Sequence, residues 1–465
     1  MTQIRQISMA KTKVFEKTSL NKLALLIISC LIVGFLVFLR DIYSVPVNKY
    51  IIFLFATISM LFFDKNHIIA FLGFIFSLTY GVPGTYIYVA AAIILLFKDR
   101  GRFNIILLIW LFFSFLEFLL SVFNSPVFSV TFYISYISRL FLLFYFLSEQ
   151  QNNKTDGQID YSLAVRLYIF GTIIFLIISV LLFLKNGSFN LILSGKIRFG
   201  DAKNYYWATD NIEGLLTTTN SNNIAYQSCV ALACCVLMFF KKKNTMWVLI
   251  YGVIWIGALL TTSQTFLIIS LLQILLWIIF LIGKKEKPIY IILFLIIAIV
   301  GMVLIVSSGI YRMLINRLEN GMFQNDSGRL SLFLSYFREL SSRPINFIFG
   351  TGALYYKSVL QLDESCHNGL QQILISYGII GFIAFISAFF FYANKILGKY
   401  NRKKIDILIS SLPLISSILF TQTIQFFNPV ELMLPFIIGL FALRIVVHNC
   451  SKEPGAISIK RALNE

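Results

Sequence analysis

The chain reads as an all-α polytopic integral membrane protein of about 12–14 transmembrane helices, with a large extracytoplasmic loop carrying an amphipathic helix. Three observations predict this. The 465 residues are 58% hydrophobic and 13% charged, with a mean hydropathy of +0.82, whereas soluble domains carry roughly 25% charge. Roughly fourteen apolar runs near span length follow one another along nearly the whole chain. Lys and Arg gather in short clusters between those runs: Lys98, Arg100 and Arg102; Lys241, Lys242 and Lys243; Lys284, Lys285 and Lys287; Lys395, Lys399, Arg402, Lys403 and Lys404.

The runs lie near 20–39, 50–63, 68–80, 85–97, 103–123, 130–147, 167–184, 222–240, 246–260, 265–282, 288–308, 367–392, 405–424 and 430–447. The first follows a basic stretch (Arg5, Lys11, Lys13, Lys17, Lys22) without a small-residue cleavage site, so it reads as a retained span rather than a removed signal peptide. Run pairs 68–80/85–97 and 246–260/265–282 hinge at Gly81-Val82-Pro83-Gly84 and Thr261-Thr262-Ser263-Gln264. A thirteen-residue helix rises only about 20 Å against a hydrocarbon core of about 30 Å. Such short runs are tilted, re-entrant or differently bounded, and twelve is the lower count. The whole of 1–465 reads as one integral membrane domain.

With the N-terminus in the cytoplasm, inner segments hold about 25 Lys and Arg and outer segments about 12, as the positive-inside rule requires. Both termini are therefore expected in the cytoplasm. Two outer segments exceed a turn, 185–219 and 309–366, and long loops are where function concentrates. In the second, Leu330, Phe333, Leu334 and Phe337 recur at helical spacing. Asp326 or Ser327 can cap the start and Pro344 limits the end, so 327–343 is expected to be an amphipathic helix on the outer membrane surface.

The composition excludes other classes. A net charge of +18 invites a nucleic-acid reading, but no basic stripe with interleaved aromatics stands apart from the membrane. The six cysteines, Cys30, Cys229, Cys234, Cys235, Cys366 and Cys450, form no metal-type spacing, so neither a zinc site nor a disulfide framework is expected. HExxH, GxSxG and dinucleotide fingerprints are absent, and no Gly-Lys-Ser/Thr follows Phe349-Gly350-Thr351-Gly352-Ala353. That stretch is instead read as a flexible turn whose backbone amides can cradle an anion.

Candidate chemistry concentrates at Ser365-Cys366-His367-Asn368-Gly369-Leu370, where the second outer loop re-enters the membrane. Among His67, His367 and His448, only His367 falls on the outer side; an imidazole there is a candidate proton acceptor, against the plainer reading of a polar helix cap. Asn368 can orient that imidazole or bond a sugar hydroxyl. Arg329, Arg338 and Arg343, with Lys357 beyond them, lie on the side where positive residues are disfavoured. Guanidinium forks suit diphosphate oxygens; lipid headgroups or the loop carboxylates Glu319, Glu339 and Asp363 are the plainer partners. Glu117 and Arg139 sit at similar depth in adjacent antiparallel spans and are expected to pair. Gly378 and Gly381 read as close-packing positions, and Cys366 as packing rather than a nucleophile.

Ser327-Gly328-Arg329, a Pro-containing stretch, Gly350-x-Gly352, then His367-Asn368 opening a span with Tyr377-Gly378-x-x-Gly381 resembles, in its order, the O-antigen polymerase/ligase superfamily. Upstream, Thr219-Asn220-Ser221-Asn222-Asn223-Ile224-Ala225 looks like the Asn-rich span start of those proteins, and Leu260-Thr261-Thr262-Ser263-Gln264 like their Thr-x-Ser-Arg turn. The likeness covers about residues 195–392; the N-terminal half matches only in hydropathy. One departure is Gln264, standing where the family usually has Arg, for which Arg198 or Lys203 is a candidate substitute.

The resemblance implies a metal-independent, inverting glycosyltransferase without cofactor, at the outer face of a bacterial cytoplasmic membrane. Its donor would be an oligosaccharide on undecaprenyl diphosphate, polymerised into capsular, O-antigen or exopolysaccharide. It also implies His367 and Arg329 as the catalytic pair. Arg338, Arg343, Arg198, Lys357, Asn368 and Gln264 would bind substrate or diphosphate. Membrane lipids, a flippase and a chain-length regulator are the expected partners, and nucleic acid is not. A ligase carrying the glycan to another acceptor is the first alternative. A polysaccharide flippase is the second, disfavoured because polar residues concentrate in the outer loops rather than along a central cavity.

Overall fold

The structure, a computed structural model, describes residues 2–43, 47–78, 82–98, 105–124, 129–148, 160–185, 199, 221–307, 311–312, 315, 329–362, 364, 366–398, 403–423 and 433–445. Of these residues 88% are helical, and none lies in a strand. In chain order the helices are α1 (Thr2–Tyr43), α2 (Lys49–Phe62), α3 (Lys65–Leu78), α4 (Val82–Lys98), α5 (Ile105–Asn124), α6 (Val130–Ser148), α7 (Tyr161–Lys185), α8 (Ser221–Lys242), α9 (Met246–Leu259), α10 (Gln264–Gly283), α11 (Ile289–Ser307), α12 (Arg329–Ser341), α13 (Pro344–Phe349), α14 (Tyr356–Leu360), α15 (Gly369–Gly398), α16 (Lys404–Thr421) and α17 (Met433–Leu443). Among the described residues, each predicted apolar run overlaps one of these helices.

Among the described residues, six helices are long and apolar enough to cross a membrane: Asn21–Tyr43, Tyr161–Leu182, Ser221–Lys242, Gln264–Gly283, Gly369–Gly398 and Lys404–Thr421. Eight more apolar helices run 10–17 residues. The architecture is that of an all-α, multi-pass membrane protein. Helices satisfy their own backbone polar groups, which is what permits them in hydrocarbon. Large apolar side chains point outward along α11, at Ile292, Leu295, Ile296, Ile299 and Val303, as a lipid-facing surface allows.

Helix α8 is the hub, 94% buried across its span and packed by α7, α9, α10, α16 and α17. Helices α3 and α7 run together most extensively; at Gly73 a Cβ would meet the Ala164 carbonyl oxygen at 2.4 Å, so only glycine permits that approach. Helices α10 and α16 are antiparallel. Lys284 pairs with a buried Asp406 at one end, and Gln273 Nε2 donates to Ser416 Oγ at 2.8 Å midway. The register carries Gln264 to the end of the bundle where α16 finishes. Tyr226 and Ser417 share a hydrogen bond of 2.5 Å, which brings the start of α8 to that same end.

Just beyond α17, Arg444 is buried. Its Nε donates to the Tyr392 hydroxyl at 2.8 Å, Nη1 to the Tyr161 hydroxyl at 2.6 Å and Nη2 to the Phe146 carbonyl at 2.7 Å. A charge at such a position is tolerated because its donors are satisfied.

Candidate functional site

The segment after α11 folds back as three helices on the start of α15. Tyr336, Leu340, Tyr356, Leu360, Cys366 and Ile375 form a small core of their own. The amphipathic helix exists as α12, but the residues that signalled it face outward: Leu330 is 60% exposed, and Phe333, Leu334 and Phe337 are exposed too. The inner face is Leu332, Tyr336 and Leu340. With the exposed Ile345, Ile348 and Phe349, the outward face is apolar, as a surface lying against lipid would be.

His367 is exposed and lies two residues before the start of α15. The cap of that helix is Asn368: its Oδ1 accepts from Gln371 N at 2.9 Å, and its Nδ2 donates to the Gln422 carbonyl at 3.5 Å. An Asn in this role satisfies a backbone donor the helix leaves over. Gln422 lies just past α16, so the cap bond ties the His367 end of α15 to the end of the bundle that also holds Gln264 and Ser221. Gln264 is half-buried as the first residue of α10, after Ser263, whose Oγ accepts from Phe266 N at 3.4 Å.

Gln371, one turn into α15, carries no sequence signal, yet it locates α12. Its Nε2 donates to the Phe333 carbonyl at 2.7 Å, and its Oε1 accepts from Cys366 Sγ at 3.2 Å. Arg329, the first residue of α12, lies one helical turn before Phe333. Burial pushes the Cys366 thiol up to about 12, against the opposing hydrogen bond with Asn368. It is a packing group, since the thiolate is the nucleophile.

The loop cations divide. Arg338 and Lys357 are exposed. Arg343 is engaged by its own chain: Nη1 donates to the Val359 carbonyl at 2.5 Å and Nη2 stands 3.8 Å from Glu339 Oε2. Arg198 and Lys203, like most of 185–219, and Arg317, Glu319 and Asp326 to Gly328 in the second loop, lie outside the described residues.

Two expectations are corrected. The amides of 350–354 do not form a site for a ligand anion, because each is spent on a group of the protein itself. Gly350 N donates to Asn346 O at 2.8 Å, Thr351 N to Ile375 O at 2.9 Å and Gly352 N to Ser376 O at 2.9 Å. Ala353 N donates to Glu117 Oε2 at 2.8 Å and Leu354 N to Glu117 Oε1 at 3.2 Å. Glu117 is also not the ion-pair partner of Arg139. Fully buried, it receives those two amides and Ser121 Oγ at 3.2 Å, with the Tyr377 hydroxyl also bonded to it. Spacing along α5 marked the charge but hid its partner, because depth matching compares spans with spans and overlooks a loop that folds down onto one.

Helix α15 is kinked at Gly378, whose φ of 62° and ψ of −171° break the helix. Gly378 is thus more than a packing position: the kink withdraws helical donors from the Ile375 and Ser376 carbonyls, and the Thr351 and Gly352 amides replace them.

The fold and this end of it define a multi-pass membrane protein with a helical loop domain seated on the start of one long helix. Residues 249–386 match the family model described as O-antigen ligase, so this segment, from α9 through the loop domain into α15, is a domain of the O-antigen polymerase/ligase superfamily. That match points to an O-antigen polymerase/ligase-type membrane enzyme of glycan assembly. No curated protein and no solved structure matches the chain.

Proposed function

We propose that the chain polymerises undecaprenyl-diphosphate-linked oligosaccharide repeat units at the outer face of a bacterial cytoplasmic membrane, both termini being cytoplasmic. The observation that carries this reading is the exposed His367 set one residue ahead of the Asn368 cap, within the segment matched to O-antigen ligase. His367 takes the proton from an acceptor sugar hydroxyl as that oxygen attacks the anomeric carbon of the donor. The anomeric C–O bond to diphosphate breaks, and the diphosphate leaves with its charge met by Arg329, Arg338 and Lys357. A single displacement inverts the anomeric configuration. Diphosphate is already a good leaving group, so the step needs no metal. Where the family's Arg is replaced by Gln264, Arg198 or Lys203 supplies the missing charge.

The test compares surface glycan from a deletion strain carrying wild type, His367→Ala or Arg329→Ala at equal membrane levels. A ladder from wild type and single exported units from His367→Ala are expected. A full ladder from His367→Ala would remove the proposed base. Ligase is the second reading, since the matched family includes both activities without separating them; there, polymer forms without the protein but stays on its lipid. Repeat units retained inside the cell would instead mark a flippase.

A further inference from the structure

We infer that Glu117 is a positioning residue for the His367 site, acting through the 350–354 turn and the kinked helix α15. The inference rests on the reading of His367 given above. Glu117 lies on α5, outside the segment 249–386 that matches the family, so the site is completed by the half of the chain that carries no family motif.

The argument is one of connectivity. The kink at Gly378 divides α15, and the half opened by His367-Asn368 is free of the helical ladder that would otherwise fix its direction. What sets that direction is the turn. Thr351 and Gly352 bond the kink carbonyls, while Ala353 and Leu354 bond the Glu117 carboxylate. Tyr377, the last residue before the kink, shares a hydrogen bond with Tyr136 on α6 and sets its ring 4.7 Å from Phe113 on α5. The turn is wedged in place: a Cβ on Gly352 would meet Glu117 Oε1 at 3.3 Å. His367 lies ten residues before Tyr377, roughly 15 Å along the half-helix. A small rotation at the turn therefore becomes an ångström-scale displacement at the imidazole. A displacement of about 1 Å in a catalytic group costs about 100-fold in rate.

The carboxylate is chemically specific. Two amides and two hydroxyls converge on its oxygens. Glu117→Gln preserves the volume but sets an NH2 donor against donors. Glu117→Asp preserves both acceptor oxygens on a stem shorter by one methylene.

The experiment uses full-length protein in lipid nanodiscs with an undecaprenyl-diphosphate-linked repeat unit as substrate. Steady-state kinetics are measured beside an activity-independent readout: labelling of Cys366 by a charged, membrane-impermeant maleimide, located by mass spectrometry. Cys366 shares its small core with Ile375, whose carbonyl receives the turn, so loosening the turn exposes the thiol. In Glu117→Gln, kcat is expected to fall about 100-fold with KM little changed, and Cys366 to become labelled; Glu117→Asp is expected to recover part of both. Wild-type kcat with Cys366 still protected in Glu117→Gln overturns the inference. A KM increase at unchanged kcat also overturns it, since that marks substrate binding instead. If Glu117→Gln does not reach the membrane, Glu117→Asp decides, and wild-type values for it overturn the inference. If wild type forms no polymer, the polymerase reading fails, and the Cys366 labelling of Glu117→Gln alone decides whether Glu117 holds the turn.

Discussion

A Cβ on Gly378 would stand 2.2 Å from the Ile348 carbonyl oxygen. The converse holds one strand of backbone away, where a Cβ on Gly350 would stand 2.2 Å from the Ser376 carbonyl oxygen. Both glycines have positive φ, 62° and 87°. Gly378→Ala carries the cost of a backbone region open essentially to glycine alone, about 1–3 kcal/mol, and a backbone clash that no rotamer relieves. A total loss of at least about 3 kcal/mol is expected, read as a lower unfolding midpoint in detergent. Gly398→Ala in the same helix, where nothing lies within 4 Å, is expected to stay within about 0.5 kcal/mol of wild type.

Arg343 and Arg338 are expected to behave differently although both lie in the basic loop. Removing the Arg343 guanidinium leaves the Val359 carbonyl without its 2.5 Å donor, and a hydrogen bond from a charged group contributes about 1.5–3 kcal/mol. Arg343→Ala should speed hydrogen exchange across 344–362. Glu339→Gln should be nearly silent, since the partner ion pair is surface-exposed and such pairs contribute at most about 1 kcal/mol. Arg338→Ala should leave exchange unchanged and raise KM for the lipid-linked donor. Equal exchange in the two arginine variants would contradict this division.

The Arg444 hub predicts unequal costs for its two tyrosines. Tyr161→Phe removes one acceptor from the guanidinium, a loss of about 1.5–3 kcal/mol. Tyr392→Phe removes an acceptor and also the hydroxyl that donates to the Leu440 carbonyl at 2.9 Å, so it should cost more. Both rings flank the guanidinium, at 4.9 Å and 5.1 Å from their centroids, so the double variant should depart from additivity. Denaturant unfolding in mixed micelles measures all three.

Asp64, between α2 and α3, offers a pH test. The His67 side chain, its largest influence, holds this carboxyl well below the usual carboxylate range, assisted by the His67 amide and Lys22 against the opposing effect of burial. The stabilisation is complete above the ordinary carboxylate pKa and is lost as pH falls below it through the depressed folded value. Its side chain is 42% exposed, so screening holds the contribution to about 1 kcal/mol or less. The stability gap between wild type and Asp64→Asn should be widest near neutral pH and close on acidification. A gap that widens in acid would contradict it.

Much of the protein was legible as pattern. Apolar runs and basic clusters located the membrane helices because burial in lipid demands long apolar stretches wherever they lie in the fold. Leu330, Phe333, Leu334 and Phe337 likewise announced α12, and the order of short motifs pointed to the superfamily that residues 249–386 match. The same periodicity was silent on what α12 packs against, and the residues that answer this, Gln371 and Tyr336, carry no motif.

Two properties of the chain, then, are local: where it is apolar enough to be helix in lipid, and which polar residues interrupt it at the start of α15. Partnership is not local. That the Gly350–Leu354 amides bond groups of the protein rather than a ligand, that Glu117 meets Ala353 and Leu354 instead of Arg139, and that Gly378 opens carbonyls for Thr351 and Gly352 were decided by the tertiary structure. Each partner is separated from its counterpart by a stretch of chain whose path the sequence pattern does not encode. Buried polar groups must be satisfied somewhere, and only the packed fold determines by which residue.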